Sequence, residues 1–299
     1  MSGAGNVLET HGLAKRYGRQ VAVRRLDFNV AAHRVTGFVG RNGAGKSTTI
    51  KMLLGMVPPT EGSARLLGLR IDDPRDSVEI RRRIAYVGED KGLYPYMTVR
   101  ELIRFTRGFY RDWRPDHEAR LVAQYELPLD RKVKALSKGM RTKLALLLAL
   151  ARQPELLILD EPTEGLDPLS TEQLLRELGG RTADGTTVLF SSHQLEEVER
   201  IADDVVMIER GAIVLEAALD DIRAHYRLVT LGFTAAPAAA ALHMPGVVSS
   251  RVRGRHASVL VSDNVDAVAE RARELGATSV QVAHASLREV FLDRVEVAA

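Results

Sequence analysis

Continuous apolar runs alternate with amphipathic, helix-like stretches through the first part of the chain, to about residue 220. These runs lack the polar alternation of a half-exposed strand, so we expect strands that are covered on both faces. Strands and helices that alternate in this way are typical of an α/β layer fold. We predict strands at Val35–Val39, Ala85–Val87, Leu156–Leu159, Thr187–Phe190 and Asp204–Ile208.

Two changes in this pattern divide the chain further. The charged, helix-like segment 99–136 predicts a helical insertion between core strands, at about residues 95–140. After about residue 219 the composition shifts. We therefore predict a first domain over residues 1–222 and a small C-terminal domain over residues 223–299.

The C-terminal domain shows a β-α-β-β-α-β order, which predicts a small α+β unit of ferredoxin-like topology. Its first helix has an alternative, because the Ala-rich segment 235–241 also fits a flexible linker. A tail helix is expected over Leu287–Val295. We predict the strands at 227–233, 247–252, 257–261 and 279–282, and the helices at 237–242 and 265–275.

Composition limits the activities that the chain can have. Its 299 residues have room for one large and one small domain or for two ordinary ones, and 45% apolar with 27% charged residues is a normal globular balance. A formal charge of +3 suits nucleotides or an anionic lipid surface but is too small to indicate nucleic acid. Because the chain has no cysteine, disulfides, thiolate catalysis and Cys-ligated metals are excluded.

The sequence predicts neither a secretory signal nor a membrane span. The longest strongly apolar stretch, Leu144–Ala151, is far too short to cross a bilayer. The segment Met1–Gly5 is not a basic region followed by an apolar one, as a secretory signal would require. We therefore expect the chain to form no membrane pore by itself, so any work on a membrane must pass through a partner.

The segment Gly40–Ser47, GRNGAGKS, fits the pattern G-x-x-x-x-G-K-[ST] of a phosphate-binding loop. Its glycines let successive backbone N–H groups turn inward into a concave nest for an anion. Lys46 brings a positive charge to the β- and γ-phosphates, and the Ser47 hydroxyl is placed to ligate Mg²⁺. A strand before the loop and a helix after it place the phosphates at a helix N-terminus, which favours anions. The loop predicts that the chain binds a nucleoside triphosphate.

Two adjacent carboxylates, Asp160 and Glu161, follow the apolar run Leu156–Leu159. Because side chains alternate along a strand, the two carboxylates point to opposite sides. Asp160 can hold Mg²⁺, directly or through water, and Glu161 can face the γ-phosphate and polarise an attacking water. An edge strand that ends in solvated acids is the simpler alternative, but the phosphate loop upstream argues against it.

Two more segments carry polar groups that suit a phosphate, although neither is specific by itself. Ser137 precedes the apolar helix predicted over Arg141–Ala151, so its hydroxyl and the neighbouring N–H groups lie at a second helix N-terminus. Alone, this is an ordinary helix cap. His193 follows the predicted strand Thr187–Phe190 and can hydrogen-bond a γ-phosphate, but a single histidine in such a place is more often structural.

Taken in order, these segments resemble the nucleotide-binding subunit of ATP-binding-cassette (ABC) transporters, over about residues 7–220. The resemblance is specific, because the motifs appear in the family's order and at familiar separations. The matching segments are Gly40–Ser47 for the Walker A motif, Leu136–Met140 for the signature motif, Leu156–Glu161 for the Walker B motif, Glu164–Asp167 for the D-loop and His193 for the switch histidine.

The resemblance implies a P-loop NTPase fold of the ABC type and a role for individual residues. The implied catalytic residues are Glu161, His193 and Lys46. The implied Mg²⁺ ligands are Ser47, Asp160 and Glu89. The implied ATP contacts are Tyr17, Asn42, Gly43, Ala44, Gly45, Lys46, Ser47, Thr48, Ser137 and Gly139.

Two of these contacts are implied to act across a dimer. In this family two subunits close head to tail over two ATP molecules, and the signature motif of one chain contacts the nucleotide held by the other. Ser137 and Gly139 are therefore expected to act in trans. Tyr17 falls where the family has an aromatic residue that stacks on adenine.

The chain departs from the family pattern at three motifs. The family usually has LSGGQ where this chain has LSKGM, so Lys138 and Met140 replace Gly and Gln, and similar Lys-containing signatures occur in ATPases of the type-2 exporter class. Glu89 stands where Gln is usual, and it either ligates Mg²⁺ or senses the membrane partner. Glu164 replaces the small residue that usually begins the D-loop, which bears on the dimer contact.

The leading interpretation is the ATP-hydrolysing subunit of an ABC exporter, with ATP and Mg²⁺ as cofactors. It is expected to pair with a second ABC ATPase, as a homodimer or a heterodimer, and to drive a separate transmembrane permease from the cytoplasmic face of the cell membrane. The segment Lys91–Thr98, which leads into the helical insertion, is expected to receive a cytosolic coupling helix of that permease.

Two alternatives belong to other functional classes. A soluble non-transport ABC ATPase acting on DNA or ribosomes usually carries paired cassettes, a long coiled coil or zinc-binding cysteines. This chain has one phosphate loop, no sustained heptads and no cysteine, so no nucleic-acid partner is expected. A catalytically dead regulatory subunit is disfavoured, because Lys46, Asp160, Glu161 and His193 are all present.

Overall fold

The computed structural model describes residues 5–238 and 242–297 of the chain. The chain divides into two compact units, Met1–Ile213 and Val214–Ala299. The division falls within the strand Ala212–Ala218, which is earlier than the boundary predicted after residue 222.

Strands and helices alternate through much of the first unit, as the apolar pattern predicts. In chain order the strands are β1 (Asn6–Tyr17), β2 (Gln20–Leu26), β3 (Asn29–Ala31), β4 (Val35–Val39), β5 (Glu61–Leu66), β6 (Leu69–Arg70), β7 (Ile84–Val87), β8 (Leu156–Asp160), β9 (Thr187–Ser192), β10 (Asp204–Glu209), β11 (Ala212–Ala218), β12 (Arg227–Phe233), β13 (Val247–Arg253), β14 (His256–Val261) and β15 (Ala277–His284). The helices are α1 (Lys46–Leu53), α2 (Pro74–Arg83), α3 (Val99–Arg107), α4 (Pro115–Gln124), α5 (Lys138–Leu150), α6 (Pro168–Gly180), α7 (Leu195–Ile201), α8 (Leu219–His225), α9 (Val265–Glu274) and α10 (Leu287–Val297).

The central sheet has the strand order β11-β10-β4-β9-β8-β7. From β10 to β7, neighbouring strands in this sheet pair in parallel. Every residue of β4, β8 and β9 is buried. All the strands predicted for the first domain lie in this sheet. Because parallel strands end at the same edge, the phosphate loop after β4, the carboxylates of β8 and the histidine after β9 meet there.

A second, antiparallel sheet lies outside the predicted elements. Its order is β2-β1-β5-β6, and β3 also pairs with β1. Apolar side chains of this sheet and of α1 pack against the central sheet, and the rings of Phe28 and Phe38 stack with their centroids 5.5 Å apart. This shared core holds α1, and with it the phosphate loop, in place.

The predicted helical insertion contains α3, α4 and the start of α5. Thr98 caps α3 through a reciprocal pair of hydrogen bonds with Glu101, in which each side chain accepts from the other residue's backbone N–H. Pro115 is the first residue of α4. Proline suits that position because the first-turn N–H has no partner within the helix.

The second unit contains a four-stranded antiparallel sheet in the order β13-β14-β12-β15. Counted along the chain among the four strands of this sheet, the order is second, third, first and fourth strand. Its apolar core includes Val229, Leu231 and Val259, and α9 contributes Val268. The predicted helix over 237–242 falls partly on residues 239–241, which lie outside the described residues.

We predict that Leu231→Ala destabilises the second unit. Leu231 is fully buried in that core, so truncation should lower the free energy of unfolding by about 2–5 kcal/mol. Val282→Ala is the matched control, because Val282 is 49% exposed on β15 of the same sheet. Urea unfolding followed by circular dichroism measures both variants, and equal midpoints would contradict the assignment of this core.

Candidate active site

The loop after β4 ends at a helix N-terminus that lacks a side-chain cap. Gly45 precedes α1 with φ of 114°, and no side chain accepts a hydrogen bond from the first turn. A Cβ at Gly45 would lie 2.8 Å from the Ala22 carbonyl oxygen, so only glycine fits there. The first turn of α1 also has no acidic residue. These features leave the N–H groups available to an anion, which fits the phosphates of a nucleotide.

The Lys46 ammonium is held between the loop and the end of β8. Its Nζ donates a 2.7 Å hydrogen bond to the Gly40 carbonyl oxygen and lies 3.1 Å from Glu161 Oε1. Both charged side chains are more than nine-tenths buried. A polyphosphate in the loop would compete with Glu161 for this ammonium, because both are anions that need the same cation.

Hydrogen bonds hold both the side chain and the backbone of Glu161. Its Oε2 lies 2.9 Å from His193 Nδ1. Its backbone adopts the left-handed region with φ of 47°, which is uncommon for a residue other than glycine. The Glu161 N–H donates to Ser191 Oγ at 3.0 Å, and the Ser191 hydroxyl donates to Asp160 Oδ1 at 2.7 Å. One buried hydroxyl therefore connects both carboxylate residues.

A third buried carboxylate, that of Glu197, lies in the same region. Glu197 Oε2 accepts hydrogen bonds from the Thr163 hydroxyl at 2.8 Å and from the Ser192 hydroxyl at 3.1 Å. Burial raises the pKa of Glu197. The network links the segment after Glu161 to the residue before His193, and the sequence analysis missed it. The only signal in the sequence was a pair of hydroxyl residues at the end of a buried strand.

A cavity of about 660 Å³ opens above these groups, within the size range of small-molecule sites. Tyr17, which forms part of its wall, is 48% exposed, and Lys15 Nζ lies 5.0 Å from the centre of its ring. The predicted site residues that line this cavity are Tyr17, Asn42, Gly43, Gly45, Lys46, Ser47, Thr48, Glu89, Glu161 and His193.

Four predicted site residues lie away from the cavity wall. Ala44 and Asp160 are buried, 4% and 2% exposed. Ser137 caps the start of α5, where its Oγ accepts from the Met140 N–H at 3.2 Å, and Gly139 lies in the first turn of that helix. Neither signature residue lines the wall of this chain's own phosphate cavity.

The cavity wall also includes residues that the sequence analysis did not assign to a site. Gln20, Val21 and Ala22 come from β2, in the sheet that was not predicted, and no motif marks them. Glu164 lines the cavity as well, although the sequence marked it only as a departure from the family. The nearby Glu164 carboxylate is the largest cause of a raised pKa at Glu89.

The protein donors fit a magnesium ion that arrives with its nucleotide. Within the described part of the chain, no group of three or more His, Cys, Asp or Glu side chains is arranged to hold a metal ion. Ser47 and Glu89 line the cavity, and Asp160 is buried at the end of β8. Mg²⁺ commonly takes one or two carboxylates together with substrate phosphates, so this donor set is compatible with it.

The described residues include no helix with the length and apolar character that crossing a membrane requires.

A phosphate loop at a helix N-terminus, beside the strand-end carboxylates of a parallel sheet, defines a P-loop nucleoside triphosphatase. The family model described as "ABC transporter" matches residues 23–164. The bacitracin transport ATP-binding protein BcrA of Bacillus licheniformis is 36% identical over 226 residues, covering 74% of this chain and 72% of that protein. The chain therefore belongs to the ABC transporter ATP-binding family and is an ATPase, as the motifs predict.

Other relatives agree with this assignment. The Nod factor export ATP-binding protein I of Ralstonia nicotianae is 34% identical over 228 residues, which cover 75% of this chain and 70% of that protein. The daunorubicin/doxorubicin resistance ATP-binding protein DrrA of Streptomyces peucetius is 37% identical over 221 residues, which cover 72% of this chain and 66% of that protein. Both are ATP-binding proteins by name.

Solved structures confirm the ABC ATPase fold. An ATP-binding subunit of an ABC transporter matches with a TM-score of 0.66 and 33% identity, over 73% of this chain and 92% of that one. A dimeric ATP-binding cassette in a post-hydrolysis state, bound to ADP and phosphate, matches with a TM-score of 0.64 over 71% of this chain and 98% of that one. At 22% identity, the second match shows the fold alone.

We predict that Ser191→Ala weakens both the fold and the site. The change leaves the Glu161 N–H and an Asp160 oxygen without a buried partner, which should lower the free energy of unfolding by about 1–3 kcal/mol. ATP hydrolysis should fall about tenfold or more, because Glu161 loses its anchor. Phosphate release and urea unfolding measure the two effects. Ser63→Ala, at an exposed position, is the control. If Ser191→Ala unfolds and hydrolyses ATP as Ser63→Ala does, the Ser191 hydroxyl does not support Asp160 and Glu161 in this way.

Proposed function

We propose that this protein is the ATP-hydrolysing subunit of an ABC exporter, acting at the cytoplasmic face of the cell membrane on a separate permease. The observation that carries the proposal is the run of contacts from Lys46 Nζ to Glu161 Oε1, 3.1 Å, and from Glu161 Oε2 to His193 Nδ1, 2.9 Å. The run lies at the wall of the phosphate cavity. The relatives' names, which refer to transport, export and drug resistance, support the exporter class.

Nucleotide binding is assigned to the loop and to Tyr17. The N–H groups of residues 43–48 and the Lys46 ammonium hold the phosphates, and the Tyr17 ring is exposed for stacking on the base. Mg²⁺, held by Ser47, Asp160 and Glu89, supplies charge neutralisation at the phosphate oxygens when bound. All three side chains offer oxygen atoms, which are the ligands that Mg²⁺ prefers.

Glu161 is assigned as the base that accepts a proton from the attacking water. His193 holds one carboxylate oxygen, and Ser191 holds the backbone, so the other oxygen has a defined direction. That other oxygen, Oε1, faces Lys46. Phosphates that draw the ammonium toward themselves free Oε1 for the water. Binding thereby activates the base.

Ser137 and Gly139 are assigned to the nucleotide of a second cassette, in a homodimer or a heterodimer. They lie outside the wall of the phosphate cavity in their own chain, and Ser137 is exposed at the start of α5. The N-terminus of this thirteen-residue helix favours an anion, and the hydroxyl can donate to a phosphate oxygen. A head-to-tail dimer brings these groups to the partner's γ-phosphate.

We predict that two inactive variants restore each other when mixed. Glu161→Gln should lower hydrolysis about 10²–10⁴-fold, the usual effect of losing a positioned base. Ser137→Arg should retain ATP binding but lose hydrolysis, because the new side chain blocks the partner's nucleotide. Each mixed dimer then contains one composite site with both an intact Glu161 and an intact Ser137.

The measurement is phosphate release from each variant and from the mixture, with dimer formation followed by crosslinking. Recovery of hydrolysis in the mixture supports a site shared between two chains. Mixed dimers that form and stay inactive would contradict it. Normal hydrolysis by Glu161→Gln alone would show that another group is the base.

An exposed group of aromatic side chains supports a contact with the permease. The aromatic patch comprises Tyr94, Tyr96, Phe105 and Phe109, which are 42–69% exposed. Tyr94 packs edge-on against Phe105 at 5.5 Å, and Phe105 packs edge-on against Phe109 at 5.0 Å. Exposed apolar patches of this kind mark interaction sites.

A cavity next to the aromatic patch can receive part of a helix. It measures about 420 Å³ and includes Tyr94 from the aromatic patch. Its other walls combine apolar side chains such as Met56, Leu93 and Leu102 with the cations Arg81, Lys91 and Arg152. We assign it and the aromatic patch to a cytosolic helix of the permease, in agreement with the expectation for Lys91–Thr98.

We predict that Tyr96→Asp combined with Phe109→Asp separates the protein from its membrane partner. Two carboxylates in an apolar interface must be desolvated without partners, which opposes docking. Affinity purification of the tagged protein from detergent-solubilised native membranes should lose the co-purifying polytopic protein, while ATP binding stays normal. Val78→Asp is the control, since Val78 is 46% exposed on α2.

If the double variant still co-purifies with the membrane protein, the aromatic patch is not part of the interface. Recovery of the unaltered protein with DNA or ribosomes would instead favour the non-transport alternative. We assign the second unit, Val214–Ala299, as an accessory domain of the transporter.

A further inference from the structure

Charged side chains from three separate segments meet beside the phosphate cavity. Lys138 is the first residue of α5, Glu164 follows β8, and Glu89 follows β7. Lys138 Nζ lies 3.9 Å from Glu164 Oε1, and Glu164 and Glu89 both line the cavity. Three further charged groups, Asp90, Lys91 and Asp160, act on this cluster. The cation of Lys138 therefore offsets the negative charge of Glu164.

The Lys138 side chain also lies across the loop that contains Glu164. A Cβ at Gly165 would come within 2.7 Å of Lys138 Cδ and Cε, so the stem rests directly on the Gly165 backbone. The next helix residue packs on the same loop. A Cβ at Gly139 would lie 3.7 Å from Leu166 Cδ2. The start of α5 and the loop 164–166 thus form one contact surface.

The same loop is attached to the proposed base. The Glu164 N–H donates to the Glu161 carbonyl oxygen at 3.3 Å, and the Leu166 N–H donates to the Thr163 carbonyl oxygen at 3.0 Å. A displacement of the loop must therefore move the backbone of Glu161 or break these bonds. The contacts run without a gap from Lys138 through Glu164 to Glu161.

We propose that the Lys138–Glu164 ion pair is a positioning device that ties the signature segment to the catalytic base within one chain. The proposal rests on the proposed role of Glu161 in hydrolysis. Movement of the start of α5 is transmitted through Glu164 to the carboxylate that faces the phosphates. Lys138 and Glu164 are positioning residues, because each acts through Glu161.

The exposure of the Lys138 and Glu164 side chains indicates whether the ion pair acts on global stability or on hydrolysis. The side chains of Lys138 and Glu164 are 51% and 44% exposed, and exposed pairs contribute little to global stability. Removing the pair should therefore leave the thermal midpoint unchanged. Its effect should appear in kcat, because a small displacement of a base is costly to the reaction while nucleotide contacts in the phosphate loop remain.

The test uses the purified full chain, four variants of the ion pair, one control variant and Glu161→Gln. Lys138→Met keeps the stem without the charge, and Glu164→Gln keeps the shape of its partner. Each should lower kcat about three- to tenfold with KM for ATP unchanged, and the double variant should be no slower than either single one. Lys138→Arg should retain wild-type kcat. Arg70→Met is the matched control, because its pair with Asp72 is equally exposed, 55% and 43%.

Three results would overturn the proposal. They are a wild-type kcat in Lys138→Met, additive losses in the double variant, or a change in KM without a change in kcat. Fluorescent ATP-analogue binding shows that each variant is folded. Glu161→Gln is measured alongside: if it hydrolyses ATP as fast as the unaltered protein, the assigned base fails. If only the Lys138 and Glu164 variants are unaffected, the positioning role alone fails.

Discussion

The buried ion pair between Lys46 and Glu161 joins the two halves of the candidate site, and the other contacts of that site are arranged around it. Lys46 comes from the loop after β4, and Glu161 follows the end of β8. The strand between them in the sheet, β9, leads to His193, which binds the other oxygen of Glu161. Charges this deeply buried need partners, so the pair restricts where the loop and the strand end can lie.

Burial of the central strands makes this arrangement rigid. The residues of β4, β8 and β9 are all buried, and side chains such as Ile158 are fully enclosed. Each such side chain contributes about 1.5–3 kcal/mol by leaving water. A rigid sheet can then hold Glu161 in a left-handed backbone conformation, which costs about 1–3 kcal/mol in a non-glycine residue. Stability in the core thus supports strain at the site.

Prediction from sequence succeeded where a local pattern is sufficient. The central strands are continuous apolar runs, and the phosphate loop has a fixed spacing, so both are visible in short windows. The antiparallel sheet was missed because β1 has breaks in its pairing register, including one between Leu13 and Lys15. Such breaks interrupt the alternation that marks a half-exposed strand. With that sheet, Gln20, Val21 and Ala22 were also missed as part of the cavity.

The sequence by itself determined the chemistry of the protein: a phosphate loop, strand-end carboxylates and a histidine, each set by residue type and spacing. Only the tertiary structure decided which of these groups meet. Ser191 connects Asp160 to the backbone of Glu161, and Lys138 reaches Glu164. These contacts join segments that lie far apart along the chain. Local periodicity carries no information about them, because the packing of the sheet and helices sets their distances.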